Sequence, residues 1–66
     1  MTSVGDIIED AAGLGALADG TAVVPERPAE PVLYQSQGDG LWGVPGVEEM
    51  TRTEEIRLPA RVIYIP

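Results

Sequence analysis

A chain of 66 residues and 7.0 kDa is long enough for one small domain at most. It contains neither cysteine nor histidine, which excludes disulfide bonds and removes the usual ligands of a structural zinc ion. Eleven acidic residues against four arginines give a net charge of -7, so phosphates and anionic lipid surfaces repel the chain. We therefore expect neither a direct nucleic-acid partner nor a membrane partner.

Conformational entropy nearly cancels the apolar burial available to so short a chain. We accordingly expect little independent core, and stabilisation by oligomerisation or by a partner. The apolar fraction of 44% is high for a disordered tail, whereas eight glycines and six prolines are many for a compact fold. Frequent alanine and glycine without any lysine or asparagine is typical of a GC-rich genome, bacterial or viral.

The first segment, residues 3–19, has the periodicity of an amphipathic helix. Ser3 is a suitable N-cap with Asp6 three residues later, and Gly20 is placed to end the helix. Apolar residues follow at intervals of three and four, namely Val4, Ile7, Ile8, Ala11, Leu14 and Ala18. The pattern predicts a helix that docks in a partner's groove through Ile7, Ile8 and Leu14. The alternative is a weak helix with no special role.

The second segment forms the linker of the predicted architecture, over residues 20–31. Within residues 23–31, prolines recur at every third position, at 25, 28 and 31, which is the period of a polyproline II helix. The spacing predicts a proline-rich extended arm that acts as a stiff spacer. A ligand for an SH3-like groove is the alternative, because the arm combines Pro-x-x-Pro with an arginine.

The third segment, residues 32–66, is predicted to be rich in β-structure. Residues 32–37 and 41–44 flank the turn signal Gly-Asp-Gly and predict a short hairpin. Thr51 or Thr53 is placed to open one helical turn. Residues 60–65 predict a C-terminal strand, which is either an edge strand or begins after Pro59, since proline donates no ladder hydrogen bond.

The C-terminal strand is apolar on both faces, with Val62 and Tyr64 on one side and Ile63 and Ile65 on the other. Because such a strand needs cover on both sides, we expect it to pair with backbone from another chain. Trp42 has two interpretations: the centre of a small core, or an anchor inserted in a partner's pocket.

The search for catalytic chemistry yields no candidate. Without histidine or cysteine there is no triad, thiolate or imidazole base. Glycines at 38, 40 and 43 match the dinucleotide pattern G-x-G-x-x-G, but Val44-Pro45-Gly46 follows where the motif requires a helix. The carboxylates are typical of solvated faces and helix starts. We predict a protein that is not an enzyme and that uses no cofactor and no metal.

No targeting segment is predicted. Acidic residues at 6, 9 and 10 precede the apolar run 11–18, whereas a signal peptide begins with positive charge. That run of eight is also too short to span a bilayer. These features predict a soluble protein located in the cytoplasm or in a virion.

Together the segments predict a single small unit, residues 1–66, with an extended α+β fold. The leading hypothesis is a non-enzymatic accessory subunit of a large assembly, such as a minor or decoration-type protein of a phage virion. It would bind larger protein subunits in multiple copies. The alternative is an acidic inhibitor or antitoxin-like peptide on a host protein's basic surface. The residues predicted to bind the partner are Ile7, Ile8, Leu14, Trp42, Val62, Ile63, Tyr64 and Ile65.

Overall fold

The computed structural model describes residues 2–26 and 31–66. It is a small α+β fold, as predicted, but consists mostly of antiparallel sheet with a single short α-helix among the described residues. The elements in chain order are β1 Ile7–Ile8, α1 Ala11–Gly15, β2 Ala22–Pro25, β3 Tyr34–Gly38, β4 Leu41–Gly43, β5 Thr51–Arg52, a 3-10 helix Thr53–Glu55 and β6 Ala60–Tyr64.

The six strands form one sheet in the order β1-β6-β2-β3-β4-β5, and every neighbouring pair is antiparallel. β6 begins at Ala60 and lies between β1 and β2, with Ile7 opposite Arg61 on one side and Val23 opposite Val62 on the other. The prediction that this strand pairs with another chain is therefore wrong. The chain's own N-terminal half supplies both neighbours.

The helix predicted over residues 3–19 is not formed. Ser3 and Asp6 do interact, but in a β-turn: the Asp6 N–H donates to the Ser3 carbonyl at 3.0 Å, and the Ser3 N–H donates to Asp6 Oδ2 at 2.9 Å. Gly5 has φ +97 in this turn, a conformation that favours glycine. The turn leads into β1, where Ile7 and Ile8 pair with β6 rather than continuing a helix.

The α-helix is limited to Ala11–Gly15. Asp10 is its N-cap, and Oδ1 of that side chain accepts from the Gly13 N–H at 2.6 Å. Only Leu14 of this helix is buried, and Leu17 follows it into the core. Two glycines in so short a segment favour early termination.

The proline-rich arm predicted over residues 23–31 is also not confirmed. Residues 23–25 belong to β2, with Val23 and Pro25 buried, and the Glu26 N–H extends the pairing by donating to the Pro59 carbonyl at 2.9 Å. Within β2, only Ala22 and Val23 pair with β3, so the missing N–H of Pro25 faces no partner strand on that side. Residues 27–30, which complete the predicted arm, lie outside the described residues.

The predicted hairpin is confirmed. β3 and β4 pair through Gln35 with Gly43 and Ser36 with Trp42, and a bulge follows Ser36. Asp39 and Gly40 form the turn with φ of 54 and 74, so both central residues adopt the left-handed conformation that a two-residue hairpin turn requires. The helical turn predicted at Thr51 or Thr53 is the 3-10 helix, and the Glu55 carboxylate caps it by accepting from the Arg52 N–H at 2.9 Å.

The expectation of little independent core is wrong. The chain exposes 4228 Å², close to the ~4,000 Å² expected for a compact monomer of this mass. Helix α1 packs against the 3-10 helix, and because these elements follow β1 and β5, the two sheet edges curl towards each other around one core. The buried apolar residues of that core are Leu14, Leu17, Val23, Trp42, Ile56, Ala60 and Val62.

Candidate functional site

The structure divides the residues predicted to bind a partner into three groups. Leu14, Trp42 and Val62 are buried members of the hydrophobic core and are not accessible to a partner. Ile8 and Ile65 are half-buried and pack against the same core from its margin. The remaining three, Ile7, Ile63 and Tyr64, are exposed.

Trp42 lies in the core of the chain itself, which is the first of the two interpretations given for it above. It is 1% exposed, and its indole Nε1–H donates to Thr53 Oγ1 at 3.0 Å. The Thr53 hydroxyl in turn donates to the Gly40 carbonyl at 3.1 Å, and the same carbonyl accepts from the Thr53 N–H at 3.0 Å. One threonine thus satisfies the only polar atom of the tryptophan side chain and ties the 3-10 helix to the β3–β4 turn.

We expect Thr53→Val to lower the free energy of unfolding by about 1–3 kcal/mol, because the buried indole N–H loses its acceptor while side-chain volume is kept. Thr53→Ser retains the hydroxyl and should lose clearly less. Urea titration followed by circular dichroism measures both. Equal midpoints for the valine and serine variants would show that the hydrogen bond does not stabilise the fold.

Exposed apolar side chains gather on β1, β6 and the turn before β1. We call Val4, Ile7 and Ile63 the β1–β6 patch; their exposed fractions are 63%, 38% and 37%. Tyr64, which is 53% exposed, alternates with Ile63 and lies on the other face of β6. The Gly5 N–H donates to the Val62 carbonyl at 2.7 Å, which fixes Val4 beside the C-terminal half of β6. The sequence placed Val4 on a helix face, so its position in this patch was not predicted.

Arg61 lies on β6 opposite Ile7 and forms a two-pronged ion pair with Glu26, in which Nε donates at 3.0 Å to Oε2 and Nη2 donates to Oε1. The hydrogen bond to this carboxylate, and then its charge, raise the pKa of Arg61 above its ordinary value. The pair joins β6 to the end of β2. Both side chains are partly exposed, so the pair contributes little to stability.

A groove lies on the outer face of the hairpin, away from the core. Gln35, Gln37 and Gly43 face outward there, because their chain neighbours Ser36 and Trp42 face inward. The loop after β4 turns at Pro45-Gly46, where the Val47 N–H donates to the Val44 carbonyl at 3.0 Å. We call this the β3–β4 groove; its volume is about 400 Å³, and its apolar side includes Val44, Val47 and Met50.

The groove was not predicted from the sequence, in which Val47 and Met50 were given no role. The signal that could have indicated it is two large apolar residues in a loop, and the structure leaves them 54% and 43% exposed. A second, smaller groove of about 310 Å³ lies between the hairpin turn and the 3-10 helix, lined by Asp39, Gly40, Leu41, Arg52 and Glu54.

Within residues 2–26 and 31–66, no group of three acidic side chains is close enough to hold a metal ion. No helix in the described part of the chain is long and apolar enough to cross a membrane. Comparison of the chain with protein-family models, with curated proteins and with solved structures finds no match. The geometry of the chain itself is therefore the basis for any functional conclusion.

Proposed function

We propose that the protein is a non-enzymatic accessory subunit that binds larger protein subunits of an assembly through the β1–β6 patch. The observation that carries the proposal is the exposure of three large apolar side chains, Val4, Ile7 and Ile63, on adjoining segments of so small a molecule. Contiguous exposed apolar surface is typical of protein–protein contact sites.

The patch is not needed to complete the core. Leu14, Trp42 and Val62 fill the interior, and Ile8 and Ile65 close its margin. Val4 and Ile63 lose no packing if a partner covers them, and burying them would contribute about 25 cal/mol for each Å² of apolar surface removed from water. The patch also lies on β6, an interior strand held on both sides, so a partner would meet a preformed surface.

A phage particle or a comparable bacterial assembly is the proposed setting, with several copies of the chain on each particle. The composition, which lacks lysine and asparagine, and the small size support it. The net charge of -7 favours larger subunits whose contacting surface is basic or neutral.

The second candidate function, an acidic inhibitor or antitoxin-like protein, is favoured by the same net charge. Several carboxylates, however, serve the chain's own fold: Asp6 in the first turn, Asp10 at the cap of α1, Glu26 in the pair with Arg61, and Glu55 at the 3-10 helix. These four side chains therefore have roles within the fold, which favours the accessory role over an acidic surface built for a partner.

The test is incorporation of tagged protein into particles purified from the native source, with copy number measured by quantitative mass spectrometry. We expect several copies of the parent per particle. Ile63→Asp should reduce incorporation about tenfold, because a charge would be buried against the partner. Leu41→Asp is the matched control, since Leu41 is exposed to the same degree (36% against 37%) but lies on β4, outside the patch.

Two results would refute the accessory role. One is incorporation of Ile63→Asp at the level of the parent and of Leu41→Asp. The other is recovery of the chain with a single isolated protein at one copy each, which would favour the inhibitor.

A further inference from the structure

We propose that the β3–β4 groove binds a short segment of a partner protein in which an apolar side chain is flanked by lysine or arginine. This surface is separated from the β1–β6 patch in the sheet by β2. The proposal therefore holds or fails independently of the accessory role.

Glycine at position 43 allows the Gln37 side chain to lie across the floor of the groove. A Cβ at this position would lie 3.2 Å from Gln37 Nε2 and 3.5 Å from Gln37 Cγ, so it would press on that side chain. Around this floor, Val44, Val47 and Met50 supply the apolar contact. A groove of about 400 Å³ falls in the range of small-ligand and side-chain pockets, about 300–1,000 Å³.

Two amide side chains lie beside the floor with different roles. Gln35 is fixed, since its Nε2 donates to the Gly20 carbonyl at 3.2 Å. The Gln37 amide makes no hydrogen bond to a described side chain or backbone group, and the residue is exposed. An amide carries both donors and an acceptor, which is the complement of an extended peptide's backbone. In the complex, the Gln37 amide therefore hydrogen-bonds with the backbone of the bound segment. The apolar wall contacts one side chain of that segment.

The charge next to the groove favours particular flanking residues in the partner. Glu48 and Glu49 are exposed and lie between Val47 and Met50 in the chain, and they do not line the groove itself. They favour cations on either side of the inserted apolar side chain. A second copy of this chain fits poorly, because it carries the same net charge of -7 and would bring the same two glutamates to the contact.

The probe is a fluorescein-labelled peptide of sequence Gly-Arg-Arg-Leu-Ala-Leu-Arg-Arg-Gly, titrated with the full chain at low and at physiological ionic strength. Fluorescence anisotropy gives the affinity, and amide chemical shifts of ¹⁵N-labelled protein give the site. We expect saturable binding with shifts at Gly43 and at the Gln37 side chain. Gly43→Val should weaken binding at least tenfold by displacing the Gln37 side chain from the floor, while its dispersed amide spectrum shows that the fold is kept.

Charge is tested with a matched pair of double variants. Glu48→Gln with Glu49→Gln should weaken binding about fivefold at low salt. Glu9→Gln with Glu54→Gln removes the same total charge from exposed positions elsewhere and should change affinity less than twofold. A peptide in which serine replaces both leucines should bind at least tenfold more weakly than the parent peptide.

Four results would overturn the proposal. Equal losses in the two double variants would reveal general electrostatic attraction, and undiminished binding of the serine peptide would show that the groove takes no apolar side chain. Shifts confined to the β1–β6 patch would place the peptide elsewhere. Sedimentation equilibrium showing a dimer that Gly43→Val dissociates would identify a second copy as the occupant.

Discussion

Trp42→Ala should abolish cooperative unfolding of this protein at room temperature. Truncation of a buried tryptophan costs about 3–5 kcal/mol, whereas a domain of this length has a total stability of roughly 3–10 kcal/mol. Trp42 is the largest fully buried side chain, and its loss would also leave the Thr53 hydroxyl without its indole donor. Far-ultraviolet circular dichroism during urea titration is the measurement, since it does not depend on the removed fluorophore.

Trp42→Phe is the informative control, because it retains an aromatic ring in the core and removes only part of the volume and the indole N–H. Its urea midpoint should lie between those of the parent and of Trp42→Ala. An alanine variant that unfolds at the parent's midpoint would show that Trp42 does not support the core. That result would favour the other interpretation, in which Trp42 is an anchor that binds a partner.

Local signals in the sequence predicted the hairpin and β6 correctly. Asp39 and Gly40 specify a turn whose backbone few other residue pairs adopt, and the alternation of Ala60, Arg61 and Val62 matches a half-buried strand. Both signals lie within a few residues of the structure that they determine. Local sequence was sufficient for these elements.

The N-terminal segment shows where local sequence is insufficient. Ile7 and Ile8 fit the periodicity of a helix face and equally fit a β-strand, since both residues are β-branched. Their partner, β6, lies at the other end of the chain, so its pairing decides between the two structures. Ser3 and Asp6 likewise have the spacing of a capping box, yet they close a β-turn, through the backbone of Ser3 and the side chain and N–H of Asp6.

The candidate sites were predictable only in part. Ile7 and Ile63 were identified as apolar residues available to a partner, but Val4 joins them through the turn at Gly5, which the helix prediction had excluded. The β3–β4 groove depends on Gly43 facing outward beside Trp42 facing inward. That alternation follows from the hairpin register, whereas the return of the 44–50 loop towards the groove follows from tertiary structure.

The adjacent residues Val62 and Ile63 allow the fold itself to be tested with one substitution at two positions. Val62 is fully buried beside Val23, whereas Ile63 is 37% exposed. Val62→Asp would place an unpaired carboxylate in the core, a change that costs several kcal/mol and approaches the whole stability of the domain.

We expect Val62→Asp to show collapsed amide dispersion in its proton NMR spectrum and no urea transition. Ile63→Asp should keep the parent's spectrum, with a loss of at most about 1 kcal/mol in the free energy of unfolding. A folded Ile63→Asp also makes its incorporation into particles interpretable, because any loss there would then arise at the patch. The opposite order, with Ile63→Asp unfolded and Val62→Asp folded, would mean that β6 presents its other face to the core. Such a result would contradict both the register of β6 against β2 and the β1–β6 patch built on it.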